Sequence, residues 1–326
     1  MGLFDRWTDP VAKAERLTAK AFGQLNAQDP EKALKTALDL RQLGRHEAYL
    51  IEADAHDMLG ATDTAVSVLK AGLLQHPKVA ALWLKLGKLH AESGQFEPAF
   101  AAFDEAAGCD DGDLPDLHYQ RAIAFLMQGD FGACLAAAAS VETESQIVRL
   151  ETDALRVDAH CGLGQWDAAI AVAEAHLALK PDEDEAQHAL GLILSGMAQA
   201  LWRGRQDQDG AILRAVAAVD FSRSLQAPFR LIREFRNETA TDAFLGELTL
   251  EGLWKEPFAG QKYRSGFYRQ FEVVARNAEE AMAFARTFLP VEIHGSLRCE
   301  AWAPAAAAPA ELLGVYGFTG YLFFGS

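Results

Sequence analysis

Four glycines, Gly60, Gly94, Gly129 and Gly164, recur at steps of 34, 35 and 35 residues. A unit of about 35 residues holds two short helices and a turn, and it cannot bury an apolar face without its neighbours. With the glycine at position 15, the frames start at His46, Ala80, Pro115 and Leu150. Small residues recur at position 8 (Ala53, Gly87, Ala122) and at position 20 (Ala65, Ala99, Cys134, Ala169), where the two helices of a pair must cross closely. Val157 departs from this rule at position 8 of the last frame. Pro77 and Pro181 fall at position 32, past the second helix, where a residue unable to continue a helix belongs. Upstream, Ala14 to Arg45 fits a degenerate copy, with Ala21 and Ala33 at the crossing positions and Asp29-Pro30-Glu31 as cap and first-turn proline.

One stretch carries a sharper signature. Trp83-x-x-Leu86-Gly87-x-x-His90 followed by Ala99-x-x-x-Phe103 resembles the tetratricopeptide repeat, with His90 in place of the usual tyrosine. The resemblance covers residues 14–203. It implies a right-handed all-α superhelix of about five helix pairs, whose first helices line a concave groove for a peptide or partner helix. In that family positions 2, 5, 9, 12 and 13 face the groove. The implied partner-binding residues here are Phe22, Glu47, Leu50, Asp54, Asp57, Leu84, Lys88, Asp116, Tyr119, Ile123, Met127 and Asp158. Over all five repeats these positions carry eight carboxylates and one lysine. The Lys and Asn clamp by which some members hold a C-terminal carboxylate is absent. The resemblance therefore implies a partner that is basic, through the acidic groove, and partly apolar, through the patch at Tyr119, Ile123, Leu126 and Met127.

Beyond Pro181, Asp184 to Trp202 reads as a terminal capping helix, with no second helix in register. Gly204 to Gly210 has no apolar side chain and reads as a linker between domains 1–203 and 211–326. The charge shifts there, from net -14 over 1–203 (17 Lys+Arg, 31 Asp+Glu) to net -2 over 204–326 (13 and 15). The second region reads as a small α+β domain. Ala211 to Val219 and Thr241 to Trp254 look helical, Phe229 to Phe235 is undecided, and Phe267 to Ala275 alternates as a strand. Asn277 caps a helix that Pro290 stops, Val291 to Ala301 alternates again, Pro304 to Pro309 reads as a loop, and Leu312 to Phe324 reads as a hairpin about Thr319-Gly320.

The whole chain of 326 residues carries net charge -16, which disfavours nucleic acid, and its 60 alanines favour packed helices and weakly suggest a bacterial source. No apolar run approaches the roughly 20 residues of a membrane span. Asp5 and Arg6 interrupt any leader, and four cysteines without a close pair fit free thiols in a reducing cytoplasm.

The candidate chemistry is thin, and neither metal nor cofactor is expected. His56, His90 and His160 share position 11 on successive or spaced repeats, too far apart for one ion, and read as packed side chains. Asp110 to Asp113 with Asp116 lacks the spacing of a calcium loop. Glu292, His294 and Ser296 are an acid, a base and a nucleophile, but same-face neighbours on a strand stand roughly 6.8 Å apart, beyond a catalytic relay. Gly314, Gly317 and Gly320 read as turn and bulge residues. The series Arg223, Arg230, Arg233, Arg236 fits intramolecular docking or solvation better than phosphate binding. The leading expectation is a non-enzymatic scaffold. The alternatives are an enzyme or small-ligand protein acting through the C-terminal domain, and a groove filled by that domain.

Overall fold

The computed structural model describes residues 10–109, 115–254 and 265–325. It divides into two compact units, Met1–Thr143 and Glu144–Ser326. Among the described residues the first holds four antiparallel helix pairs: α1 (Pro10–Asn26) with α2 (Pro30–Gln42), α3 (Glu47–Met58) with α4 (Thr62–Gln75), α5 (Ala80–Glu92) with α6 (Phe96–Ala107), and α7 (Pro115–Gln128) with α8 (Phe131–Ala139).

The periodic glycines act as read from the sequence. Gly60, Gly94, Gly129 and Gly164 have φ of 73°, 73°, 83° and 68°, the left-handed turn that ends a first helix. Position 15 of the first, degenerate copy is Gln28, and it takes the same conformation at φ 57°. At the crossing positions Ala21, Ala33, Ala53, Ala65, Ala99, Ala122, Cys134 and Ala169 are all fully buried. Val157, the departure, is accommodated by a hole in its neighbour: a Cβ added at Gly196 would lie 2.4 Å from the Val157 Cγ1. Asp29, Asp130 and Ser145 each accept from the backbone N–H three residues on, the capping bond that starts a helix.

The second unit begins with the fifth pair, α9 (Gln146–Gly162) and α10 (Trp166–Glu174), and continues through α11 (Asp184–Arg205), α12 (Gln208–Phe221) and α13 (Ala227–Arg236). The segment 204–210 is a tight helix-to-helix turn and not a linker. Arg205 ends α11, Gln206 turns left-handed at φ 56°, and Asp207 caps α12 by accepting from the Gly210 N–H at 2.9 Å. Its polarity reflects exposure at a turn, which composition alone does not separate from a linker. The capping helix thus pairs with α12, and the compact units divide about sixty residues earlier than that segment, at Thr143 and Glu144.

A five-stranded antiparallel sheet follows: β1 (Phe244–Leu253), β2 (Ser265–Ala275), β3 (Arg298–Ala307), β4 (Gly314–Phe318) and β5 (Leu322–Gly325). The order is β3-β1-β2-β4, with β5 also on β2. Gly246, Leu248, Leu250 and Gly252 of β1, and Phe267, Arg269, Phe271, Val273 of β2, face a core covered by α12, α13 and α14 (Ala278–Ala285), while Glu247, Gln270 and Glu272 stay exposed on the other face. The helices lie on one face, as expected of this α+β region.

Four local readings are corrected. Thr241 to Trp254 is largely strand β1, because buried Leu248 and Leu250 alternate with Glu247 and Glu251 at period two. The undecided Phe229 to Phe235 is helix α13, with Pro228 in its first turn. Val291–Ser296 is a 3-10 turn, and strand β3 begins only at Arg298 and runs through Pro304 to Ala307. The C-terminal segments are no hairpin: β4 pairs with Phe271 to Val274 and β5 with Ser265 to Tyr268, end to end on one edge of β2.

Candidate functional site

In the first unit, successive first helices touch one another, α1 with α3, α3 with α5 and α5 with α7. The second helices show no comparable contact with one another among the described residues. The first helices are therefore the inner layer. Residues four apart on a helix stand one above another, so positions 5, 9 and 13 form a stripe on each: Thr18, Phe22, Asn26 on α1; Leu50, Asp54, Met58 on α3; Leu84, Lys88, Glu92 on α5; Tyr119, Ile123, Met127 on α7.

Phe22 is 41% exposed and Met127 49%, while Leu50, Leu84, Tyr119 and Ile123 are half-buried. Leu50 and Leu84 lean on the cores beneath them. The stripe on α7 is apolar throughout.

The charges are less free than the sequence suggests. Asp54 is paired with Lys85 at 2.5 Å. Glu47 accepts from the Arg45 guanidinium at 2.5 and 3.1 Å; burial pushes its pKa up, and only the Arg45 hydrogen bonds together with a backbone hydrogen bond and the neighbouring His46 and Arg45 charges hold it below the ordinary 4.5. Lys88 stands 3.8 Å from Glu92, and Asp57 accepts from the Thr62 hydroxyl at 3.2 Å. Asp116 is exposed. Lys85 is the residue missed by sequence reasoning: it sits at position 6, and its long stem lets the ammonium reach Asp54 on the preceding first helix.

Asp158 belongs to the second unit, on α9. Its side chain is exposed, yet protein crowded around the carboxylate disfavours the charged form and pushes its pKa up from 3.8 to about 6. The buried Cys161 thiol, one turn on, is pushed up to about 12 by burial and by the Asp158 charge. A carboxyl whose pKa is raised in the fold favours the folded state fully below 3.8, and that contribution is lost as pH rises through about 6. Asp158→Asn should therefore gain thermal stability over the native chain as pH goes from 4 to 7, with no gain at pH 4. Melting curves of both proteins across that range are the check, and parallel curves would contradict it.

The other candidates have structural roles. His90 and His160 each hydrogen-bond, through Nδ1 at 2.8 Å, the glutamine after the turn glycine, Gln95 and Gln165. Ser296 Oγ donates to the Leu253 carbonyl at 3.0 Å and accepts from the Leu253 N–H at 2.9 Å, and His294 Nε2 lies 2.8 Å from the Leu289 carbonyl. Neither is arranged as a nucleophile and base. Of the arginine series, Arg233 is buried, donates to the Val315 carbonyl at 2.7 Å and lies 3.6 Å over the Tyr316 ring. Arg236 lies over Phe284, and Arg230 faces Glu234. These side chains fasten α13 to the sheet at β4 and to α14, or pair along the helix. Arg269 was not anticipated: it is 2% exposed, donates to the carbonyls of Phe288 and Thr319, and lies 3.8 Å over Phe318.

Among the described residues no group of three or more His, Cys, Asp or Glu could hold a metal ion, and no helix is long and apolar enough to cross a membrane. Asp110 to Asp113 lie outside the described residues.

No family model matches the chain, and no curated protein matches it. Solved structures do. A chain of the APC/C hetero-tetramer Cut9-Hcn1 superposes with a TM-score of 0.53 at 16% identity over 68% of this chain, which spans only 42% of that one. PilW, a type IV pilus biogenesis factor, gives a TM-score of 0.53 at 16% identity over 66% of this chain and 96% of its own. A tetratricopeptide repeat protein from Parabacteroides merdae gives 0.49 at 15% identity over 71% and 87%. With left-handed turns at position 15 of every frame and buried small residues at every pair crossing but one, the helical array of residues 14–203 has the tetratricopeptide-repeat fold.

Proposed function

We propose that the chain is a protein-interaction scaffold whose inner first-helix layer takes up a partly apolar, basic segment of another protein. The observation that carries this reading is the apolar stripe Tyr119, Ile123, Met127 on α7, with Met127 exposed and the other two half-buried; Phe22 is likewise exposed, on α1 of the same inner layer. Side chains this large are costly to leave in water and are the usual anchors of an interface. Asp57 and Asp116 supply the negative potential, since Asp54 and Glu47 already have cationic partners. The Cut9-Hcn1 structure is a hetero-tetramer, which supports assembly as a use of this fold. Four free thiols support a reducing compartment.

Selection of a random peptide library on the full chain tests this. Peptides rich in Lys or Arg and large apolar residues should be enriched. Tyr119→Ala should weaken them by about tenfold or more, chiefly through faster dissociation, with the fold checked by circular dichroism. Asp57→Lys with Asp116→Lys should slow association and flatten its salt dependence, because exposed charges are screened over about 10 Å at 0.1 M and about 3 Å at 1 M. Leu74→Ala, on α4 at 87% exposure, should change nothing. Enrichment of acidic peptides, or binding indifferent to Tyr119, would sink the proposal.

A further inference from the structure

The described residues include four methionines, Met58, Met127, Met197 and Met282. Met197 is 3% exposed within the core of α9 to α11, and Met282 is half-buried against the core of the sheet. Met58 and Met127 differ from both, at 40% and 49% exposure. They also share an address: each stands at position 13 of its frame, two repeats apart, on α3 and α7. Each closes a stripe on the inner layer, one after Leu50 and Asp54 and the other after Tyr119 and Ile123. The accessible thioethers of the described chain are thus gathered on the one face that carries its apolar anchors.

We propose that Met58 and Met127 form a pair of oxidation sites through which peroxide turns the inner face from apolar to polar and releases a bound segment. This rests on the reading of that face as a docking surface. Each sulfur attacks one oxygen of hydrogen peroxide. An S–O bond forms as the O–O bond breaks, the sulfur gives up two electrons, and the displaced oxygen leaves as water, so that each thioether becomes a sulfoxide. The step needs only that the sulfur be reached by a small solute, which burial denies to Met197. A sulfoxide is a strong acceptor, and an apolar partner residue pressed against it offers no donor in exchange for lost water. Asp57 and Asp116 keep their charge throughout, so the change falls on the apolar contacts. Dissociation should speed up while association and its salt dependence stay as they were.

The test treats the full chain, its accessible thiols capped, with hydrogen peroxide, and follows each methionine by peptide mass mapping. Met58 and Met127 should each gain one oxygen before Met282, with Met197 last. The oxidised chain should then release a basic, apolar peptide from the library selection about tenfold faster, the change that ~1.4 kcal/mol of lost contact produces. In the variant Met58→Leu with Met127→Leu, whatever its own affinity, peroxide should leave the release rate of a selected peptide unchanged. Early oxidation of Met282 or Met197, an unchanged release rate after oxidation, or equal sensitivity of the leucine variant would each overturn the switch. Failure to select any peptide would overturn the docking reading together with its switch, whereas binding with an oxidation-blind release rate removes the switch alone.

Discussion

Gly87→Val should destabilise the first unit by about 3 kcal/mol, at the upper end of what overpacking a core costs. A Cβ at Gly87 would stand 2.4 Å from Cε1 and 2.6 Å from Cδ1 of Phe103, and 3.1 Å from the Ala99 carbonyl oxygen. Phe103 is fully buried and stacked edge-on against Phe100, so its ring has nowhere to swing. The backbone oxygen belongs to α6 itself and yields only if the two helices part. Chemical denaturation with a probe confined to this unit is the measurement. Gly87→Ala combined with Phe103→Leu should recover much of what Gly87→Ala loses, because the clash is with that ring. Equal losses in the single and double variants would mean that the α5 and α6 crossing is not as close as described.

Pro304→Val should make the protein self-associate. Strand β3 is one edge of the sheet, ten residues long, with every residue exposed except half-buried Trp302. Long bare edges invite a second strand. Which way Pro304 points follows from β1. The Ala243 carbonyl accepts from Ala308, and the Leu253 N–H meets Ser296, so odd-numbered residues of β1 turn their hydrogen-bonding groups toward β3. Pro304 lies opposite Gly246, an even position, and its ring nitrogen therefore faces outward, where an incoming strand would seek a donor. Bulges at Glu300 and Ala305 break the edge on either side. Valine would restore the missing N–H and favour extended backbone. Light scattering of the variant against the native chain should show a concentration-dependent increase in mass, and identical masses would assign the protection to the bulges.

The repeat array is open to sequence reading because its rules are local. A left-handed turn wants glycine, a close crossing wants alanine, and both return at a fixed step, so even Gln28 is found by counting. The C-terminal sheet yields less. In β1 the leucines at 248 and 250 alternate, but Glu247 and Glu251 stand four apart as on a helix, and glycines stand at two inward positions, erasing the contrast that marks a strand. Thr319-Gly320 has turn chemistry and does interrupt the chain, but whether the flanking strands pair with each other or with β2 is a long-range choice that no local pattern encodes. On the inner layer, Phe22, Tyr119, Ile123 and Met127 were reached through the tetratricopeptide-repeat resemblance, at its positions 9, 5, 9 and 13. The neutralisation of Asp54 was not, since Lys85 arrives from another helix.

Helix α11 is a wall shared by two rooms. Met197, Ala200 and Leu201 furnish the core under α9 and α10, whereas Ala198, between them, belongs to the core under the sheet, and Trp202 and Phe235 reach into both. Neither room keeps its wall if the other is demolished. Dividing the chain after residue 203 would strip Ala211 and Phe235 from one side and leave the sheet's helices without Ala198 and Trp202 on the other. The fifth helix pair, although built to the same pattern as the four before it, has its thermodynamic fate tied to a β-sheet that its sequence pattern never mentions.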